Sequence, residues 1–298
     1  MTKTRITILI WFYAVFSTAV FSHPTGDMIR VDDHVLWSYI SPVDDPGHHA
    51  CIMIWSQGSQ PEVLIKSNFP ASDYMLYGRD DIIYIIERRY IQSTGAFESR
   101  VLKMKIGEKP KEIWEWFEDE WHVGEGGFHM PSDKKIVFAR YPQIYSLEKG
   151  KTAIKSRFQP TQPIYRITAV ENNQFLLLAE NSYMLVNKKG EVLKTWTNLL
   201  YEEISDAPLN RNQVFDADYH NGELLIAYWG NRSFDIITRE GERKTLLKQE
   251  KPLTPHWVTY FNDNKILFSS RLVFDGRNPR PQVILYKSNK EQIEIWKE

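Results

Sequence analysis

"KIGEKPKEIWEW", residues 105–116, is a polar turn around Gly107 followed by a short run that mixes Ile113, Trp114 and Trp116 with Lys and Glu. Alone it reads as the second half of an antiparallel hairpin. Its weight comes from recurrence. Comparable turn-plus-strand segments are "SQGSQPEVLI" at 56–65, "EKGKTAIKSR" at 148–157, "NKKGEVLKTW" at 187–196, "TREGERKTLL" at 238–247 and "KSNKEQIEIW" at 287–296. Each has Gly or Asn in the turn and polar residues interleaved with apolar ones on its flanks, the pattern of a half-buried strand pair.

A second polar turn precedes every one of these hairpins: "DD" at Asp32, "RDD" at Arg79, "SDKK" at Ser132, "ENN" at Glu171, "HNG" at His220 and "NDN" at Asn262. Each opens onto an aliphatic run: "HVLWSYI", "IIYIIE", "IVFAR", "FLLLAE", "LLIAYW" and "ILFSS". Four strands per unit, repeated at roughly 40 to 50 residues, is the pattern of propeller blades. On these segments the chain resembles the six-bladed β-propeller superfamily. The resemblance implies an all-β fold, a single six-bladed propeller of four-stranded antiparallel blades, and implies no activity. The expected blades are 27–68, 69–118, 119–159, 160–200, 201–250 and 251–298, with complete blades at both ends and no strand exchanged to close the ring. Turn signals interrupt every candidate amphipathic helix within about a dozen residues, which excludes a helical reading.

The chain begins "MTKTRITILIWFYAVFSTAVFSHP", with Lys3 and Arg5 ahead of an apolar run from Ile6 to Phe21. That run falls short of the roughly 20 residues a spanning helix needs. Val20 and Ser22 supply the small-residue exit of a cleavage site, so residues 1–22 read as a secretory signal peptide and 23–298 as the exported propeller, with no membrane span after cleavage. Periplasm, cell surface or medium is the expected location. Lys and Arg number 37 against 38 Asp and Glu, which leaves no basic footprint for nucleic acid. The lone Cys51 has no disulfide partner and reads as a small core residue. A monomer is expected.

In a four-stranded blade the loops after the second and fourth strands share one rim with the channel mouth. Here those loops are the elaborated ones: "SPVDDPGHHA", "RYIQSTGAFESR", "RLVFDGRNPRPQ", and the interblade segments "EDEWHVGEGG" and "TNLLYEEISDAPLNRNQV", the last long enough for a helical turn or a lid. Elaborated loops on a rigid scaffold are where binding and catalysis concentrate. Asp73, His129, Arg166, Asp216 and His256 stand near the starts of innermost strands and are expected to converge at the mouth.

Two functions follow. The first is a noncatalytic binder of a glycan, peptide or protein, using Arg88, Arg89, Arg140, Arg166, Asp216, Trp257 and Arg271, with Trp229 and Trp257 exposed for stacking. The second is a glycan-active lyase or hydrolase at the same mouth. A lyase needs cations to neutralise a uronate carboxylate and a His or Tyr to take the proton, for which His129, His256, Tyr141 and Glu125 are the catalytic candidates. A hydrolase needs two facing carboxylates, for which Glu87, Glu125, Glu180 and Asp216 are available. No cofactor is expected. His122, Glu125 and His129 are too interrupted by glycines to share a helical face as zinc ligands. Asp44 with His48, and Asp216 with Asp218, are the remaining places for a cation.

Overall fold

The computed structural model describes residues 27–40, 49–156, 158, 160–204, 207–208, 211–271 and 281–297. Residues 1–26, which include the expected signal peptide, the segment carrying Asp44 and His48, and the segment after Arg271 lie outside them.

Six four-stranded antiparallel sheets follow one another along the chain, each built from consecutive strands in simple meander order. Blade 1 holds β1 (Met28–Val31), β2 (His34–Ile40), β3 (Ala50–Ser56) and β4 (Glu62–Lys66). Blade 2 holds β5 (Ser72–Arg79), β6 (Ile82–Ile91), β7 (Ala96–Lys105) and β8 (Lys111–Glu118). β9 (Phe128–Ser132), β10 (Lys135–Arg140), β11 (Gln143–Glu148) and β12 (Ile154–Lys155) make blade 3. Blade 4 consists of β13 (Arg166–Val170), β14 (Gln174–Leu178), β15 (Ser182–Asn187) and β16 (Val192–Thr197). β17 (Val214–His220), β18 (Glu223–Tyr228), β19 (Ser233–Ile237) and β20 (Arg243–Lys248) form blade 5, and β21 (Leu253–Phe261), β22 (Asn264–Arg271), β23 (Gln282–Tyr286) and β24 (Gln292–Lys297) form blade 6. The chain is a six-bladed β-propeller.

The apolar core is divided among the six blade interfaces. Blades 1 and 2 meet through Leu36, Ile52, Leu76 and Ile85, blades 2 and 3 through Tyr84, Trp114 and Phe138, and blades 3 and 4 through Ile144, Ile167 and Leu177. Leu176, Trp196 and Ile226 join blades 4 and 5; Leu225, Phe234 and Leu267 join blades 5 and 6. The ring closes without strand exchange, because Trp37 and Trp55 of blade 1 pack with Trp257, Phe261 and Phe268 of blade 6. Trp37 and Tyr39 also lie against Trp296, with centroids 5.6 and 4.9 Å apart. Inner and middle strands are covered on both faces, which explains their nearly unbroken aliphatic runs. The outermost strands carry Lys and Glu, as in Glu62, Lys111, Lys155, Lys194, Lys244 and Lys297, a pattern that protects free sheet edges from pairing.

Turn chemistry matches the repeat. Asp32, Asp80, Asn173, Asn221 and Asn262 take positive φ of 50 to 55° in the first turn of their blades, a region that Asp and Asn enter more readily than other non-glycine residues. The later turn places Gly58, Gly107, Gly150, Gly190 and Gly241 at φ 75 to 89°; blade 6 puts Lys290 there, at φ 70°.

One loop expectation changes. "RYIQSTGAFESR" is mostly strand: β6 and β7 stay paired up to Ile91 and Ala96, so four residues make the turn. The segment before blade 5 holds a 3-10 turn at Pro208, whose carbonyl accepts the Arg211 amide at 3.0 Å. It is held down at its start, because Arg243 reaches the Leu199 carbonyl and its guanidinium lies 4.0 Å from the Tyr201 ring centroid.

Candidate functional site

Height within the channel is set by strand register. Counting pairs from the first turn, Arg166 opposite Leu178 and Asp216 opposite Ala227 both stand at the fifth pair. Asp27, bonded to Ser38 just above the Met28–Trp37 pair, is level with them. The three side chains meet. Arg166 donates through Nη2 to Asp27, and its Nε lies 3.2 Å from Asp216 Oδ1. The second oxygen of Asp27 accepts the Leu76 amide at 2.9 Å, and that of Asp216 accepts the Val258 amide at 3.1 Å. The Trp257 ring covers the guanidinium at 4.9 Å. Burial pushes the Asp216 carboxyl up to about 7, against the pull of Arg166 and the Val258 amide.

Blades 1 and 4 face each other across a six-membered ring, so the Asp27–Arg166 bond is a brace through its centre. A second brace lies nearer the opposite rim, where Glu171 of blade 4 bonds Arg30 of blade 1 and His220 of blade 5, each at 2.8 Å. Arg166 and Asp216 are therefore brought together as expected from their strand positions, but their charges are spent on internal partners. The expectation of exposed tryptophans fails: Trp257 and Trp229 are each 3% exposed, because the blade 6 contacts that close the ring need Trp257, while Trp229 stacks on Phe215 and donates its indole N–H to the Pro255 carbonyl.

The two histidine candidates are also withdrawn. His256 is fully buried, with Nδ1 2.8 Å from the Thr254 carbonyl and 3.2 Å from Ser270 Oγ, ringed by Phe215, Trp229 and Trp257. His129 sits opposite Val137, below the Arg166 layer, with its ring 4.3 Å from that of Phe175 and 6.2 Å from that of Tyr77. Burial, with Lys135 and Arg79 adding, depresses it to about 4, so it is neutral at pH 7. The glycines before it serve packing: a Cβ on Gly127, at φ 76°, would lie 2.0 Å from the Ile167 carbonyl oxygen, and one on Gly126 would lie 2.4 Å from that of Ala139.

Above these layers is the upper rim, where innermost strands begin and second strands end. Arg88 is held by Asp73 at 3.0 Å and Glu125 at 2.6 Å, and only 3% of its side chain is exposed. Glu125 also meets His122 Nδ1 at 3.1 Å. Arg89 grips Glu98 with two hydrogen bonds and lies 4.0 Å from the Trp116 ring centroid. Arg100 satisfies the buried Glu87, and Arg140 donates to the Glu120 carbonyl while covering Trp121. Arg271 is half-buried at the upper end of β22. The arginines of the rim that sequence reading assigned to a ligand thus have acceptors of their own in Arg88, Arg89 and Arg140.

What stands open is aromatic. Tyr141, at the β10–β11 turn, is 56% exposed and stacks on Tyr165, itself 42% exposed, with centroids 4.6 Å apart and planes 30° apart. Ile164 donates to the Pro142 carbonyl and Tyr165 to the Leu178 carbonyl, which fixes the pair between blades 3 and 4. Along the same rim Tyr90, 44% exposed, packs on Phe97, which packs on His122. Of these, sequence reading singled out Tyr141 alone; Tyr165 and His122 entered no candidate site, and neither did Asp27.

Asp218 gives its oxygens to the Tyr260 and Tyr219 amides and the Thr259 hydroxyl. No group of three or more His, Cys, Asp or Glu among the described residues is arranged to hold a metal ion. No helix among them is long and apolar enough to cross a membrane.

No protein-family model matches the chain, and neither does any curated protein. Solved structures resemble it at low identity. A structural-genomics protein of unknown function from Bacteroides thetaiotaomicron is 11% identical, with a TM-score of 0.51 over 83% of this chain and 68% of its own. A catalytically inactive virginiamycin B lyase from Staphylococcus aureus, solved with quinupristin, is 12% identical with a TM-score of 0.46 over 91% and 83%. The nidogen/laminin complex contributes a chain 14% identical with a TM-score of 0.47 over 74% and 78%. At this distance the likeness concerns the fold alone.

Proposed function

We propose that the chain is an exported binding propeller whose ligand, a glycan, peptide or protein, lies across the upper rim of blades 2 to 4 and undergoes no chemistry there. The exposed Tyr141–Tyr165 stack carries this reading. Tyrosine offers a large amphipathic contact area at low entropic cost, and here two rings are held by backbone hydrogen bonds from neighbouring blades. Such preorganisation favours binding, because little freedom is lost when the ligand arrives.

The catalytic alternative keeps the exposed Tyr141, and Arg140 with a carbonyl partner, but Arg88, Arg89 and both histidines are engaged elsewhere. Neutralising a uronate requires a cation without a competing anion, whereas Arg88 serves two carboxylates and Arg89 one. A proton acceptor must reach the substrate, and His129 and His256 lie among aromatic rings away from the exposed tyrosines. Export rests on Lys3, Arg5 and the apolar run that follows.

The test is a survey of purified mature protein against polysaccharides, peptides and envelope extracts, with new reducing ends and unsaturated products followed in parallel. Binding without turnover, abolished in the Tyr141→Ala/Tyr165→Ala double variant, is expected. Turnover that survives the double variant and disappears with Arg88 or His122 would establish the enzyme instead.

A further inference from the structure

The chemistry around the tyrosine pair narrows its ligand. The two rings face each other, so each offers one outer face, the two pointing opposite ways; a ligand lies on one ring backed by the other, on a platform and not in a cage. A cage surrounds a point charge with several ring faces, as quaternary ammonium recognition requires. A platform suits a flat body with C–H groups on one side, such as a pyranose ring.

Charge gives the second restriction. Glu180 follows Leu178 and Ala179 at the top of β14, and Leu178 is the residue whose carbonyl holds the Tyr165 amide. Glu180 is exposed, and its charge acts on Tyr165. Two arginines adjoin the pair in sequence: Arg166, next to Tyr165, is turned inward to Asp27 and Asp216, and Arg140, on the Tyr141 side, is turned to the Glu120 carbonyl and the Trp121 ring. The exposed charge on the Tyr165 side of the pair is therefore the Glu180 carboxylate. An exposed carboxylate accepts two hydroxyl hydrogen bonds readily and repels uronate or sulfate groups.

We infer that Tyr141, Tyr165 and Glu180 form a subsite for a neutral hexopyranose unit of a glycan. This rests on the binding function proposed above and adds the ligand class. Tyr165 supplies the stacking face, Tyr141 backs it from behind, and Glu180 orients the sugar through its hydroxyls.

The experiment is calorimetric titration of the mature protein with neutral oligosaccharides of several linkages, with matched uronate oligomers, and with a cationic peptide, each at low and high salt. At least one neutral oligosaccharide binds, with an affinity that salt leaves unchanged, and the uronates do not. Tyr165→Ala weakens it by about tenfold or more, the loss of roughly one aromatic contact; Tyr165→Phe retains most of the affinity, and Glu180→Gln weakens it by a smaller factor. All variants should melt with the parent, since the substituted side chains are exposed. A panel in which no neutral glycan binds overturns the inference, as does glycan binding indifferent to Tyr165→Ala. If a peptide or protein ligand instead binds through the same tyrosines, the glycan assignment falls and the binding function stands. If a ligand binds and the double tyrosine variant leaves its affinity unchanged, the proposed function falls as well.

Discussion

Replacing Arg166 with Met removes the cation that the centre of the ring is built around. Two buried carboxylates, Asp27 and Asp216, then face each other, each still accepting one backbone amide, from Leu76 and Val258 respectively. Breaking a buried ion group by removing one partner typically costs about 3 to 5 kcal/mol, because the remaining charges stay desolvated. For a chain of this size that corresponds to a fall of roughly 5 to 9 °C in melting temperature. The loss depends on pH with a definite sign. Asp216 already holds its proton up to about 7 in the folded protein, far above the unfolded value of about 3.9. The folded state thus binds more protons than the unfolded one between these limits, and stability falls as pH rises through that window. Without Arg166 the Asp216 carboxyl loses the cation that favours its charged form, so the variant is hurt most above pH 7 and least near pH 5. Thermal and urea unfolding at both pH values measures this. The triple variant Asp27→Asn/Arg166→Met/Asp216→Asn, which removes every charge, should recover most of the loss. A single Arg166→Met variant within about 1 kcal/mol of the parent at pH 7 would refute the brace.

Three further expectations follow from the same geometry. His129 is depressed to about 4 in the folded protein, so it contributes stability that is present above its unfolded value of about 6.5 and is lost as pH falls toward 4; His129→Phe should flatten that acid limb in pH-dependent melts, and an unchanged limb would place the cause elsewhere. Gly127→Ala drives a Cβ into the Ile167 carbonyl at a positive φ, and should cost about 3 kcal/mol or more, read by urea unfolding. Lys290→Gly relieves the only one of the six matching turns that lacks glycine or asparagine at that position, and should stabilise by about 0.5 to 1 kcal/mol; destabilisation would mean that the Lys290 side chain contributes contacts of its own.

The architecture was legible because each blade repeats local rules. Asp or Asn in one turn and Gly in the next, alternating flanks and aliphatic middle strands all agree from "DD" at Asp32 to "NDN" at Asn262. The central brace was legible in part. Arg166 and Asp216 were marked by strand position, and the same count would have found Asp27, since each of the three stands five residues before the first turn residue, at Glu171, Asn221 and Asp32. Asp27 itself stands one residue ahead of the first strand, outside the paired register. Side-chain direction and pairing were not legible: nothing in "ERRY" says that Arg88 turns to Asp73 and Glu125 while Arg89 turns to Glu98. Nor does the sequence separate a closing tryptophan from an open one. Trp257 and Tyr141 are equally conspicuous in the chain, and only the packing of blade 6 on blade 1 buries the first and leaves the second outside.

Ligand on the upper rim of blades 2 to 4, centred on Tyr141 and Tyr165, should leave the Asp27–Arg166–Asp216 brace undisturbed. Hydrogen exchange of the backbone amides, compared with and without the bound ligand, separates the two places. The account predicts new protection at residues 140–144, 164–166 and 178–181, with the amides of Leu76 and Val258, already bonded to Asp27 and Asp216, unchanged. Protection that instead appears around 216–218 and 256–258, with the tyrosine segments unaffected, would contradict it.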